Sequence, residues 1–213
     1  MSTLFIGGSS EIALKTAKKL KNIDHMGRFR NPVYKKNFIT KNYSQKNLVS
    51  VFNKIKFRYD NIVIFNGRYS NSFITNFNKK DFDDALNINL IIPLQIAKII
   101  IDRKILKKNG AIFFTSSIAA SKNYVGNAYY SIAKNSLELA GKILAIEQRK
   151  RGVRINIMSI GAIKNTMGMS VIKYLNKTAQ KKIKFINMSK VVNKIEKYLK
   201  NKSINQKKIN LDD

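Results

Sequence analysis

A tyrosine and a lysine stand four residues apart, at Tyr130 and Lys134. On a helix this spacing places both side chains on one face. A lysine ammonium beside a phenol stabilises the phenolate and lowers the pKa of the tyrosine. Such a tyrosine could act as a general acid or base near neutral pH. The spacing is also common by chance in helices, so the pair needs support from other residues.

Two polar residues upstream could complete a reaction site. Ser117 lies thirteen residues before Tyr130, just beyond the apolar run 111–115, which predicts a buried strand. A hydroxyl at the carboxyl end of a strand could orient a substrate carbonyl. Asn89 lies in an apolar helical segment, where a buried amide requires a hydrogen-bond partner.

A glycine-containing turn follows the first apolar run, at residues 7–10 (GGSS), and precedes a helical pattern that begins at Glu11. Backbone N–H groups at such a helix N-terminus, together with the helix dipole, suit a pyrophosphate. A tight strand-to-helix turn without a ligand remains an alternative for this motif alone. Glu11 would repel an anion, so we expect it to compensate the helix dipole instead.

Composition excludes several kinds of chemistry. The 213 residues include no Cys and one His, which is His25. Without Cys there are no disulfides, Cys-ligated metals or thiol catalysis. A single His argues against a His-based triad and against a multi-His metal site, so we expect no metal.

The chain is strongly basic, with 41 Lys and Arg against 12 Asp and Glu and a net charge of +29. This charge could reflect a polyanion partner or a biased composition. The basic residues are spread along the chain, and no nucleic-acid-binding module is recognisable. We therefore favour biased composition and expect no nucleic-acid partner.

Short apolar runs alternate with helical periodicity along the whole chain. Strands that are apolar on both faces and separated by helices predict a parallel sheet covered on both sides. The sequence predicts one α/β domain over residues 1–213, a doubly wound, Rossmann-type, three-layer αβα fold. Strands are predicted at 3–6, 38–40, 61–65, 111–115, 153–158 and 208–211, with a further strand within the polar stretch 23–37. Helices are predicted at 11–22, in the stretch that ends at residue 55, and at 79–107, 128–149 and 191–199.

No targeting or membrane segment is expected. The chain enters its first apolar run directly after Thr3, with no basic segment and no cleavage site. The apolar stretch 88–101 contains Asn89, Pro93, Gln95 and Lys98, and it is too short and polar to span a bilayer. These features predict a soluble cytoplasmic protein.

Taken together, the motifs resemble the short-chain dehydrogenase/reductase family over essentially the whole chain. The resemblance rests on the turn 7–13 (GGSSEIA), Asn66-Gly67, the set Asn89, Ser117, Tyr130 and Lys134, the segments 154–156 (RIN) and 160–163 (IGAI), and the tail 204–212. It implies NAD(P)-dependent hydride transfer between nicotinamide and a carbonyl or alcohol.

The resemblance also implies a role for each member of that set. Tyr130 would donate or accept the proton. Lys134 would lower the pKa of Tyr130 and bind the nicotinamide ribose. Ser117 would orient the substrate oxygen. Asn89 would hold a helix kink and a water that links Lys134 to solvent.

The cofactor is expected to be NADP(H), with NAD(H) possible. Arg28 falls where the second strand should end and resembles a 2′-phosphate clamp, with Arg30 nearby, whereas Asp24 in another register would favour NAD. Asn42 would face adenine. The implied cofactor contacts are Gly7, Ser9, Ser10, Ile12, Arg28, Asn42, Asn66, Gly67, Tyr130, Lys134 and Ile163.

The chain departs from the family pattern at several positions. Glu11 and Ala13 replace glycines, and Ile160 replaces a proline.

A short substrate lid is expected at about 165–187, although a plain amphipathic helix would explain the same residues. The substrate could be a 3-oxoacyl thioester or a keto sugar. A non-catalytic dinucleotide-binding module remains the alternative, and the family implies a homodimer or homotetramer.

Overall fold

The computed structural model describes residues 1–122, 124–164, 169 and 184–211. Its sheet has seven parallel strands in the order β3-β2-β1-β4-β5-β6-β7. The strands are β1 Thr3–Ile6, β2 Ile23–Gly27, β3 Lys36–Ile39, β4 Tyr59–Ile64, β5 Leu106–Ser117, β6 Arg154–Ile160 and β7 Lys208–Asn210. Within the described residues the α-helices are α1 Glu11–Leu20, α2 Gln45–Asn53, α3 Lys79–Leu86, α4 Ile92–Asp102, α5 Ala128–Glu147 and α6 Met188–Lys200.

Two apolar clusters, one on each face of the sheet, make the three layers. Strand residues such as Leu4 and Ile62 pack with α2, α4 and α5 on one face. Their neighbours Phe5 and Val63 pack with α1 and α6 on the other face. Because successive strand residues point to opposite faces, both faces of β1 and β4 are apolar. The predicted doubly wound α/β fold is confirmed.

The second strand, β2, was the hardest element to place from sequence because it buries two polar residues. Asp24 accepts a hydrogen bond from the Tyr59 hydroxyl at 2.8 Å, and His25 Nδ1 lies 3.2 Å from Asn37 Oδ1. These partners offset the cost of burial. Only eight residues, 28–35, join β2 to the parallel β3 without a helix, whereas such crossovers usually take a dozen or more.

The β5 strand begins earlier than its apolar run predicts. It starts at Leu106, so the preceding helix ends at Asp102 and not at residue 107. Leu106 pairs with Tyr59, and an irregularity in register follows before Asn61 pairs with Ala111. The exposed residues 107–109 therefore join the strand although they carry no apolar signal.

One helical run in the described part of the chain, Lys79–Asp102, is long and apolar enough to cross a membrane by length and composition. Within this fold its α4 portion packs Ile96, Ala97 and Ile100 into the cluster beneath the sheet. The buried Asn89 and Pro93 lie within the same run. The run therefore serves as a core helix of the α/β domain.

The strand order places a cleft between β1 and β4. The chain leaves β1 toward α1 on one face and leaves β4 toward α3 and α4 on the other, so the connections diverge at the carboxyl ends. Doubly wound sheets bind their ligands at this point. The proposed lid at 165–187 lies outside the described residues except for Met169 and residues 184–187.

Candidate active site

Asn89 occupies a widened turn between α3 and α4. The segment Asn87–Ile91 is a π-helix, a form often found at functional sites because it breaks the regular hydrogen-bond ladder. The Asn89 amide nitrogen donates to the carbonyls of Ala85 at 2.9 Å and Arg68 at 3.0 Å. Its oxygen accepts from the Arg68 N–H at 3.0 Å. The fully buried side chain thus ties this turn to the loop after β4.

Lys134 is buried at the carboxyl ends of β4 and β5. Its Nζ donates to the Thr115 carbonyl at 3.0 Å and the Asn66 carbonyl at 3.3 Å, and the residue is 2% exposed. Burial lowers the pKa of Lys134 to about 8, although the nearby Glu138 carboxylate opposes that shift. A Cβ placed on Gly67 would lie 2.9 Å from this Nζ, so glycine makes room for the ammonium.

Tyr130 lies one turn before Lys134 on α5. Burial raises the pKa of Tyr130 to about 12, with a hydrogen bond to Ser117 opposing the shift and Tyr69 adding to it. The Tyr69 ring meets the Tyr130 ring edge-on at 5.7 Å. Lys134 Nζ stands 5.9 Å from the Tyr130 ring centre and is bonded to the two backbone carbonyls. The pKa of Tyr130 is therefore raised, whereas the four-residue spacing predicts that Lys134 lowers it.

Ser117 completes the group as the last residue of β5. Its hydroxyl accepts a hydrogen bond from the Ala119 N–H at 3.2 Å and is bonded to Tyr130. The structure thus gathers Ser117, Tyr130 and Lys134 at the carboxyl edge of the sheet, with Asn89 joined to them through the Gly67 loop. A carbonyl that accepts from Tyr130 would also lie within reach of the serine hydroxyl.

The glycine turn faces the loop after β4 across the cleft. Gly7 has a φ of +71°, and a Cβ there would lie 2.9 Å from Asn66 Oδ1. Ser10 caps α1 by accepting from the Ala13 N–H at 3.3 Å, and Ile12 is buried. The first N–H groups of a helix have no partner within it, so they remain available to an anion.

The cleft offers polar atoms that suit a dinucleotide. Asn66 Oδ1 is buried and has no hydrogen-bond partner among the described residues. A buried acceptor of this kind calls for a donor that the protein itself does not supply. Together with the glycine turn, it fits the nicotinamide dinucleotide that the sequence predicts.

Arg28 directly follows β2 and is exposed, with its guanidinium 5.5 Å from the Phe29 ring centre. Burial raises the pKa of the Tyr43 hydroxyl. A hydrogen bond with Asn66 and the positive charge of Arg28 both oppose this rise. Arg28 and Asn66 therefore flank the same tyrosine. Tyr43 was not predicted as a site residue, because a single half-buried tyrosine in a loop has no sequence signal.

The remaining predicted cofactor contacts, Asn42, Ser9 and Ile163, lie in three different surroundings. Asn42 is exposed, and its Oδ1 already accepts from the Ser44 N–H at 2.9 Å and the Asn47 amide at 2.7 Å. Ser9 is exposed on the glycine turn. Ile163 is buried beyond β6 and forms a bridge with Ile186.

Comparison with known proteins gives a consistent picture. The family model described as "Enoyl-(Acyl carrier protein) reductase" matches residues 39–197. The chain is 31% identical over 125 residues to 3-oxoacyl-[acyl-carrier-protein] reductase FabG of Buchnera aphidicola, covering 56% of this chain and 51% of that protein. It is 29% identical over 124 residues to an acetoacetyl-CoA reductase of Synechocystis, covering 58% and 52%. The matched chain spans about half the length of these relatives.

Among solved structures, an actinorhodin polyketide ketoreductase with NADPH superposes with a TM-score of 0.79 at 17% identity. The match covers 98% of this chain and 94% of the ketoreductase. At this identity the likeness shows the fold.

The buried Lys134 predicts a pH-dependent difference in stability. Its pKa falls from 10.5 in a model peptide to about 8 in the fold, so between those values the unfolded chain binds more protons. The free energy of unfolding of the wild type should therefore rise with pH across this window, by about 2 kcal/mol relative to Lys134→Met. Urea unfolding of both proteins at pH 7.5 and 10 measures this difference. Parallel pH profiles for the two proteins would show that folding does not lower the pKa of Lys134.

Proposed function

The chain belongs to the short-chain dehydrogenase/reductase family, and on that premise we propose that it is an NADP-dependent oxidoreductase that interconverts a carbonyl and an alcohol. One observation carries the proposal. The Tyr130 hydroxyl is bonded to Ser117 on the carboxyl edge of the sheet, one helical turn from the buried Lys134 ammonium. A proton donor, an orienting hydroxyl and a cation in this arrangement support the proposal.

The residues around the cleft would hold the cofactor. Backbone N–H groups of Ser9 and Ser10 would bind its diphosphate. Lys134 would donate to the nicotinamide ribose, and Arg28 would pair with the 2′-phosphate. When bound, NADP(H) supplies or accepts the hydride.

The protein residues would control the proton. With a pKa of about 12, Tyr130 is protonated at neutral pH and can donate to a carbonyl oxygen as that oxygen gains charge. An alkoxide is more basic than a phenolate, so the transfer is downhill. Ser117 would hold the same oxygen and fix its distance from Tyr130. In the reverse reaction, alcohol oxidation, the Tyr130 phenolate would act as the base.

The substrate we propose is a 3-oxoacyl thioester. The relatives are named for 3-oxoacyl-carrier-protein and acetoacetyl-CoA reduction, and both names describe thioesters with a 3-oxo group. No comparable observation supports a keto sugar. We place the protein in the cytoplasm as a soluble enzyme.

A second copy of the chain is the partner we propose for α5. Four large apolar side chains of this helix are exposed, and their spacing places them along one side. They are Ile132, Leu139, Ile143 and Ile146, with exposed fractions from 39% to 63%. Isologous packing of this surface would bury it and give a homodimer, or a tetramer through a second contact.

Replacing Tyr130 with Phe tests the acid role. Loss of the proton donor should reduce NADPH-dependent turnover of acetoacetyl-CoA by about 10² to 10⁴-fold. NADPH binding, followed by its fluorescence, should persist. The neighbouring Tyr129→Phe is the matched control, because its hydroxyl accepts from the Asn78 N–H at 2.7 Å, away from Ser117. A wild type that binds NADPH without reducing any of a panel of carbonyls would instead support a non-catalytic dinucleotide-binding module.

Replacing Arg28 with Ala tests the cofactor preference. Loss of a charge-assisted contact to the 2′-phosphate should raise the Kd for NADPH by about tenfold and leave that for NADH unchanged. Calorimetric titration with each cofactor measures this ratio, and Arg58→Ala, immediately before β4, serves as the control. An equal loss for both cofactors would exclude a 2′-phosphate contact.

Replacing Ile143 with Glu tests the oligomer. A charge in the centre of the exposed α5 surface should separate the copies, because it would be buried without a partner. Sedimentation velocity should then show a monomer. A wild-type monomer at micromolar concentration would refute the proposed dimer.

A further inference from the structure

The short connection between β2 and β3 brings a tyrosine behind the glycine turn. Tyr34 is 4% exposed, and its hydroxyl donates to the Gly8 carbonyl at 2.5 Å. A Cβ on Gly8 would lie 2.6 Å from this hydroxyl oxygen, so only glycine permits the approach. Sequence inspection gave no reason to single out Tyr34.

This contact determines which way the next peptide group faces. In a trans peptide, the carbonyl and the following N–H point in opposite directions. The Gly8 carbonyl points toward the buried Tyr34, so the Ser9 N–H points away from it, on the side where Ser9 is exposed. That side is where the diphosphate of a dinucleotide would bind.

Without the contact, the Gly8–Ser9 peptide group would be less restrained. Its rotation changes ψ of Gly8 and φ of Ser9, and glycine accepts a wide range of ψ with little steric cost. A flip would aim the carbonyl oxygen at the anion and turn the Ser9 N–H inward. The hydrogen bond from Tyr34 opposes this flip because it fixes the carbonyl.

Tyr34 itself is firmly held. Its ring stacks on His25 with centroids 4.5 Å apart and an angle of 17°, and Phe5 meets it edge-on at 6.3 Å. Its N–H donates to the Asn31 carbonyl at 3.2 Å. The Asn37 side chain accepts from the N–H of the same Asn31 at 3.0 Å and donates to its carbonyl at 3.1 Å. Burial raises the pKa of the Tyr34 hydroxyl, so it stays a donor.

We propose that Tyr34 is a positioning residue for the cofactor diphosphate, which holds the Ser9 N–H outward through its hydrogen bond to Gly8. The proposal rests on the NADP-dependent function proposed above. It also gives a physical role to the helix-free β2–β3 connection, which supplies the tyrosine. The restraint matters in this turn because Glu11 and Ala13 stand where the family has glycines.

Tyr34→Phe tests the proposal, because it removes the hydroxyl and keeps the stacked ring. The Kd for NADPH, measured by fluorescence, should rise about five- to tenfold. The KM for NADPH should rise by the same factor, while kcat at saturating NADPH stays within about twofold. Adenosine 2′-phosphate, which has no diphosphate, should bind as tightly as it does to the wild type.

Tyr59→Phe is the matched control. It also deletes a buried tyrosine hydroxyl, which donates to Asp24 Oδ2 at 2.8 Å away from the glycine turn. This variant should lose stability to urea without changing the Kd for NADPH. If it weakened NADPH binding as much as Tyr34→Phe does, the effect would be general destabilisation and the proposal would be wrong.

Two further outcomes separate this inference from the proposed function. Suppose that the wild type binds and oxidises NADPH. If Tyr34→Phe then binds NADPH as tightly as the wild type does, only the positioning role is overturned. The same holds if Tyr34→Phe loses affinity for adenosine 2′-phosphate by the same factor as for NADPH. If the wild type binds no NADPH, both the role and the proposed function are overturned.

Discussion

The site depends on one buried cation. Lys134 holds its ammonium between the carbonyl of Asn66, which follows β4, and the carbonyl of Thr115, near the end of β5. A buried charge stays stable only when such partners surround it, so β4, β5 and α5 must be arranged to bring both carbonyls to this side chain. Gly67 lies against this side chain, and the buried Asn89 borders the same glycine. The fold thus positions the cation one helical turn from Tyr130.

The same constraint explains the state of Tyr130. Because Lys134 is committed to carbonyls, it stands too far from the phenol to oppose the effect of burial, and Ser117 alone provides a hydrogen bond that lowers the pKa. A protonated phenol is suited to reduction. A ribose hydroxyl between the two side chains would change this balance, because it could pass the charge of Lys134 toward the phenol. The protonation state of Tyr130 is therefore tied to what lies in the cleft.

The sequence was informative where a pattern is local and periodic. Apolar runs such as 61–65 and 111–115 identified the buried strands, and the family resemblance predicted the group of Ser117, Tyr130 and Lys134 that the fold brings together. The β2 strand was only loosely placed because Asp24 and His25 are buried with partners from distant segments. Tyr34 and Tyr43 were missed for a related reason, since a contact with the glycine turn or with Asn66 depends on how loops pack. The raised pKa of Tyr130 also required structure, because spacing does not show which groups Lys134 contacts.

We propose that Tyr130 and Ser117 hold the oxygen of a carbonyl substrate, and a crystal structure with NADPH and an unreactive 3-oxoacyl thioester analogue would test this. The Tyr130 hydroxyl and the Ser117 hydroxyl are both expected about 2.7–2.8 Å from the 3-oxo oxygen. A bound analogue whose carbonyl contacts neither hydroxyl would contradict it.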